Sequence, residues 1–178
     1  MTATGTTRAT DPAVDPKISR FLMIATYLLG AIGYFVGFYA LSADGAEEAV
    51  KWVCLISVGI VGVVSMVRHS VFHRSDAARM RWDLGRRNNF QLEVGYANFG
   101  IGAVAILAVV GDWGTVAQAA VTLVYALYFL QVAVLVLFDR DDAGKLDAGR
   151  FASMCFQTGL LGFFGVAALH AVGASPFG

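Results

Sequence analysis

Five stretches of this chain contain no Asp, Glu, Lys or Arg: Phe21–Ala43, Trp52–Val67, Val94–Gly111, Trp113–Phe138 and Phe151–Gly178. A helix that crosses a bilayer needs about 20 mostly apolar residues, within a range of about 17–25. The first, fourth and fifth stretches reach that length outright. The second has 16 residues and the third 18. Both are bounded by charged residues, Lys51 with Arg68 and Glu93 with Asp112. Long charged side chains can run along apolar surface to an interface, so each helix can extend beyond its uncharged segment. The expected fold is therefore all-α, an integral membrane bundle of five transmembrane helices.

Composition agrees, with 57% apolar and only 15% charged residues in 178. Soluble domains sit near 45–50% and 25%. Formal net charge is zero, which gives no reason to expect a nucleic-acid partner. Cys54 and Cys155 both lie within apolar runs and read as small buried hydrophobes rather than a disulfide framework.

The basic residues orient the bundle. With a cytoplasmic N-terminus, the inner segments hold Arg8, Lys17, Arg20, Arg68, Arg74, Arg79, Arg81, Arg86, Arg87, Arg140, Lys145 and Arg150, while the outer segments hold only Lys51. That asymmetry matches the positive-inside rule, and omitting either short span would destroy it. The expected location is a cell membrane, a bacterial inner membrane, with the C-terminus outside. Residues 1–17 read as a disordered cytoplasmic leader rich in Thr, Ala and Pro, and residues 18–178 as one transmembrane helical domain. The first apolar run is too long for a cleavable signal core and reads as a retained anchor.

The connections sharpen this outline. Gly111–Gly114 is so short that helices three and four should form an antiparallel hairpin. Asp139, Asp141 and Asp142 in the last inner loop lack the spacing of a calcium loop, and the segment reads as a solvated turn. Lipid offers no hydrophobic drive for helix association, so small residues are needed where helices touch. Gly33 and Gly37, then Gly95, Gly100 and Gly102, then Gly159, Gly162 and Gly165 are the candidates. The first and last groups could also serve a homo-oligomer.

The segment between helices two and three is the least ordinary. Arg74, Arg79, Arg81, Arg86 and Arg87 are interleaved with Phe72, Met80, Trp82 and Leu84. Such a segment can form a short amphipathic cytoplasmic helix whose arginines (Arg74, Arg79, Arg81 and Arg86 above all) meet anionic lipid headgroups. A phosphate or carboxylate pocket is the sharper alternative. Asn88, Asn89, Gln91, Glu93 and Asn98 then enter the apolar zone, where polar groups should face the bundle interior. Glu93, Asn98, Gln91, Asn89 and Arg87 form the candidate polar or ligand cluster. It is either a structural knot with Glu93 paired to Arg87 or an amide, or a proton- or ligand-responsive site.

Phe90, Gln91, Glu93, Gly95, Asn98 and Gly102 fit a phrase of the form FQ-x-E-[VL]-G-[FY]-A-N-[LF]-x-x-G after RMRWDLG. Over roughly residues 69–137 the chain resembles a family of small bacterial multi-pass membrane proteins known only as a domain of unknown function. A weaker likeness is to the DoxX-like small membrane proteins. The resemblance implies the architecture and carries no activity; Gln131 stands where the family pattern has a late histidine.

His69 and His73 share a helix face and are weak metal candidates, while His170 belongs to the opposite end of the bundle. No nucleophile elbow or phosphate-binding loop is present. Tyr125, Tyr128 and Gln131 make a polar-edged stripe, either packed or lining the interior near Glu93. The favoured expectation is a non-enzymatic accessory, assembly or small-ligand-binding membrane protein. It would partner the bilayer, anionic headgroups and a homo-oligomer or larger complex, with no cofactor. A channel or proton-coupled transporter using Glu93, and a redox protein binding haem or quinone, are the alternatives.

Overall fold

The computed structural model describes residues 15–80, 89–139 and 145–174. Among them there is no β-strand, and six helices account for almost everything. They are α1 (Pro16–Ala43), α2 (Ala46–Val71), α3 (His73–Met80), α4 (Asn89–Val110), α5 (Thr115–Phe138) and α6 (Ala148–Ala171). All but α3 are long and apolar enough to cross a membrane, five candidate spans in all. The two short apolar runs do extend past their flanking charges: α2 takes in Glu47, Glu48, Lys51 and Arg68, and α4 takes in Glu93.

Local chemistry sets the helix ends. Asp15 caps α1, its carboxylate accepting from Lys17 N at 2.9 Å, and Pro16 occupies the first turn, where a missing N–H costs nothing. Glu47 and Glu48 sit in the first turn of α2, where carboxylates meet the positive end of the helix dipole. Asp147 caps α6 through Arg150 N at 2.9 Å. The α4–α5 turn needs a positive φ at Gly114 (87°) and takes one at Asp112 (50°). That conformation suits glycine and is tolerated by Asp.

The bundle is organised around α2, half buried along its span where every other span is about a quarter buried. Its path is not uniform. Cys54–Ile60 and Val67–Val71 wind as wider π-helical turns, with α-helix at Ala46–Val53 and Val61–Met66. Val53, Cys54, Val58 and Val61 of α2 meet Tyr34 from α1, Ala105 from α4, Tyr125 from α5, and Leu161 with Phe164 from α6. Glycine lets backbones meet. A Cβ on Gly62 would lie 2.6 Å from the Asn98 carbonyl oxygen, and one on Gly102 would lie 2.8 Å from that of Gly59. A Cβ on Gly33 would strike Ser57, and one on Gly165 would come within 2.7 Å of Leu123.

Two expectations change, and the α4–α5 hairpin holds with a difference in packing. Gly100, Gly159 and Gly162 face open space, so they mediate no packing among the described residues. Cys155 is exposed, unlike the buried Cys54, and both are free thiols. Helices α4 and α5 are antiparallel neighbours across a tight turn, yet each packs more extensively elsewhere, α4 on α2 and α5 on α6. The close glycine crossing packs α4 on α2, and a shallow crevice lined by Ile101, Val124, Leu127, Tyr128 and Gln131 lies between α4 and α5. The residue 1–17 leader lies outside the described residues as far as residue 14.

Gly62→Val should lower stability by about 2 kcal/mol or more, because the added atoms meet backbone that cannot yield. Gly100→Ala should stay within about 0.5 kcal/mol of the parent. Thermal unfolding in detergent micelles distinguishes the two; equal midpoints would contradict the close-packed crossing.

Candidate functional site

The most concentrated polar chemistry lies at the end of the bundle where α1 begins, α2 ends and α4 begins. The last π-helical turn of α2 carries Arg68, His69 and Ser70. Phe72 then leaves helical geometry (φ −100°, ψ 32°), its N–H still bonded to Val67 O at 3.0 Å. The break lets α3 fold back against α1 and buries Ser75, Asp76 and Ala77.

Ser75 caps the start of α1. Its hydroxyl accepts from Ser19 N at 3.0 Å and donates to the Asp15 carbonyl. This occupies one of the amide donors that a helix N-terminus leaves unmatched.

Asp76 is the centre, with its side chain 1% exposed. Oδ1 accepts from the Ser19 hydroxyl and from Arg79, through Nε at 3.2 Å and Nη2 at 3.0 Å. Oδ2 accepts from His69 Nδ1 at 3.0 Å and from Gln91 Nε2 at 2.9 Å. Arg68 Nε stands 3.9 Å from Oδ1. Arg79 also donates to Ser19 Oγ at 3.0 Å. One carboxylate thus joins α1, α2, α3 and α4.

The donor pattern fixes the histidine tautomer. Arg68 Nη2 lies against His69 Nε2, and a guanidinium can only donate, so Nε2 accepts. The ring proton is then on Nδ1, pointing at Asp76, and the imidazole is neutral. For Asp76, burial alone would raise the carboxyl pKa. Hydrogen bonds from His69 and Ser19, with the charge of Arg68, outweigh it and hold the group well below the usual carboxylate range. Two guanidiniums therefore face one carboxylate among the described residues. With both oxygens doubly engaged, Asp76 has no spare lone pair for a base or nucleophile.

A second polar group lies deeper. Asn98 accepts from Tyr125 OH at 2.9 Å and donates to Tyr128 OH at 3.1 Å and to the Val94 carbonyl at 2.8 Å. Tyr125 is 1% exposed and stacks on Tyr128 with ring centroids 5.7 Å apart. Elsewhere in the core, Tyr34 OH donates to Gln157 Oε1 and Ser57 Oγ to the Gly30 carbonyl at 3.1 Å.

The residues singled out from the sequence divide accordingly. Gln91 and Asn98 are buried but belong to different networks, the first with Asp76 and the second with the tyrosines. Glu93 and Asn89 lie on the exposed side of α4. The interior cluster is therefore not centred on Glu93: from Gln91, two further residues rotate the side chain by about 200° to the opposite face. Arg87, Arg81 and Arg86 lie outside the described residues. Arg79 turns inward to Asp76, while Arg74 is exposed.

Of the two weak metal candidates, His69 has both ring nitrogens engaged, and His73 Nδ1 donates to the Ser70 carbonyl at 2.9 Å. Among the described residues no group of three metal-ligating side chains forms. Ser19 and the central place of Asp76 lie outside the sequence-derived candidates, and no periodicity links the two residues. The available signal was Asp76 standing seven residues after His69 and three before Arg79, in a basic segment otherwise poor in acids.

A match to a protein family runs over residues 17–173, from the first turns of α1 to beyond α6. The chain belongs to DUF6790, a family of unknown function. No curated protein and no solved structure matches it. For this DUF6790 chain the geometry of the Asp76 and Asn98 networks is thus the source of any functional reading.

Asp76→Asn should cost about 3–5 kcal/mol at neutral pH, since it leaves two largely buried guanidiniums without their counter-charge. Glu93→Gln should stay within about 0.5 kcal/mol. The folded Asp76 pKa is depressed, so its contribution is complete above the unfolded value of about 3.9 and is lost only as pH falls below it. Unfolding midpoints in micelles at pH 7 and pH 3 check both the size and the sign.

Proposed function

We propose that this protein is a small, non-enzymatic accessory or ligand-binding component of a bacterial inner membrane, with its Arg-rich end facing the cytoplasm as the positive-inside pattern requires. The observation that carries this reading is the saturated Asp76 network. A carboxylate held by Ser19, His69, Arg79 and Gln91 is built to hold four helices in one arrangement, not to exchange protons or attack a substrate.

The network supports recognition at its rim. It gathers two guanidiniums against one carboxylate among the described residues, and Arg74 of the same short helix α3 is exposed. That is the chemistry of an anionic partner, a lipid headgroup or the acidic surface of a larger membrane complex. Two competing readings have less support. A channel or proton-coupled transporter using Glu93 wants that carboxylate inside the bundle, whereas it lies on the outer side of α4. A haem-binding redox protein has little to draw on here, since both ring nitrogens of His69 are engaged and no group of metal-ligating side chains gathers beside His73 among the described residues.

Purification in mild detergent from its own host tests the proposal. A stoichiometric partner or a retained anionic lipid is expected in native mass spectra, and Arg74→Gln should reduce its occupancy several-fold. A strictly monomeric protein carrying neither would overturn it.

A further inference from the structure

The apolar surface of α5 carries one residue that does not belong there. Gln131 is exposed, yet it sits seven residues, about 10 Å, inside the helix end at Phe138. Its amide makes no side-chain hydrogen bond to any described residue. An amide offers two donors and an acceptor, and hydrocarbon supplies nothing to meet them. One turn away, the Tyr128 hydroxyl accepts from Asn98 and has no acceptor for its own proton among the described residues. Both residues line the shallow crevice between α4 and α5, with Ile101, Val124 and Leu127.

The pattern around Gln131 says what covers it. Ala120, Val124, Leu127, Gln131, Val134 and Phe138 are all exposed and alternate at spacings of four and three. That is the seam of a heptad repeat, with a single polar residue in it. Two copies with the same membrane orientation are related by a twofold axis along the membrane normal. Each seam residue then meets its own counterpart. An amide facing an identical amide is self-complementary: each carbonyl accepts one N–H from the other.

We propose that two copies of this chain pair in the bilayer through parallel α5 helices, with their Gln131 amides hydrogen-bonded to each other across the twofold axis. The crevice beside Tyr128 receives apolar side chains of the second copy. This surface lies on a different helix from Gly33, Gly37, Gly159 and Gly162, and the inference stands independently of the reading of the Arg-rich end.

Cysteine cross-linking in native membranes tests it. Cys155 is exposed and is first replaced by Ser. Leu127→Cys and Val134→Cys should each form a disulfide dimer on oxidation, while Phe35→Cys on α1 and Phe156→Cys on α6 should not. Adding Gln131→Leu should weaken pairing roughly tenfold, the scale of two interhelical hydrogen bonds in a bilayer, and Gln131→Asn should largely preserve it. The leucine substitution faces outward and should leave the thermal midpoint unchanged, which separates lost pairing from lost folding. Equal cross-linking at seam and control positions, or no effect of Gln131→Leu, would overturn the proposal. So would a monomer whose native mass spectrum shows a bound lipid-soluble molecule that Gln131→Leu releases.

Discussion

Asp76 keeps its charge with its side chain 1% exposed, and a carboxylate withdrawn that far from water has to be solvated by the protein itself. Four donors from four helices do so, and the requirement runs in both directions. The acid needs Ser19, His69, Arg79 and Gln91 in place; the start of α1, the end of α2, all of α3 and the start of α4 are held where those donors are needed. Arg68 completes the arrangement by donating to the far side of the imidazole, which selects the tautomer that can bond Asp76. Removing any member leaves another buried group without its match.

Away from that end, the bundle is held by different physics. Apolar side chains gain little by leaving lipid for one another, so contact has to come from close approach and from polar ties. Gly62 against Gly102 provides the first, a crossing where α2 and α4 meet backbone to backbone. The Asn98–Tyr125–Tyr128 group and the Tyr34–Gln157 pair provide the second, each joining two helices through groups that would be costly alone in hydrocarbon.

Much of this was readable in the chain, because the bilayer imposes a length and a polarity on every span. The five spans, the Gly33–Gly37 contact face and the burial of Asn98 follow from those two demands. What escaped was whatever depended on rotation about a helix axis. Gln91 and Glu93 stand two residues apart and look equivalent in sequence, but one is buried against Asp76 and the other is exposed. Asp76 escaped for another reason: its environment is assembled by a non-helical turn at Phe72 and by residues as distant as Ser19, which no periodicity connects. The weak packing of the α4–α5 hairpin was hidden too, since a short turn fixes adjacency but not which faces touch.

The π-helical turns of α2 have a consequence for how this chain can vary. Each such turn accommodates an additional residue and so resets the rotational phase of everything beyond it. The surface of α2 that meets Gly102 and the surface that offers Arg68 and His69 to Asp76 are thereby set independently, by two adjustable joints along one helix. Losing one residue from the α-helical stretch Val61–Met66 would turn the remainder by about 100° relative to the crossing, whereas one lost within Val67–Val71 would close the wide turn to an ordinary one. Substitutions on the exposed face of α2 can be absorbed one at a time, unlike those at Gly62, Arg68 or His69, and the spacing between glycine crossing and charged mouth acts as a fixed gauge for the whole bundle.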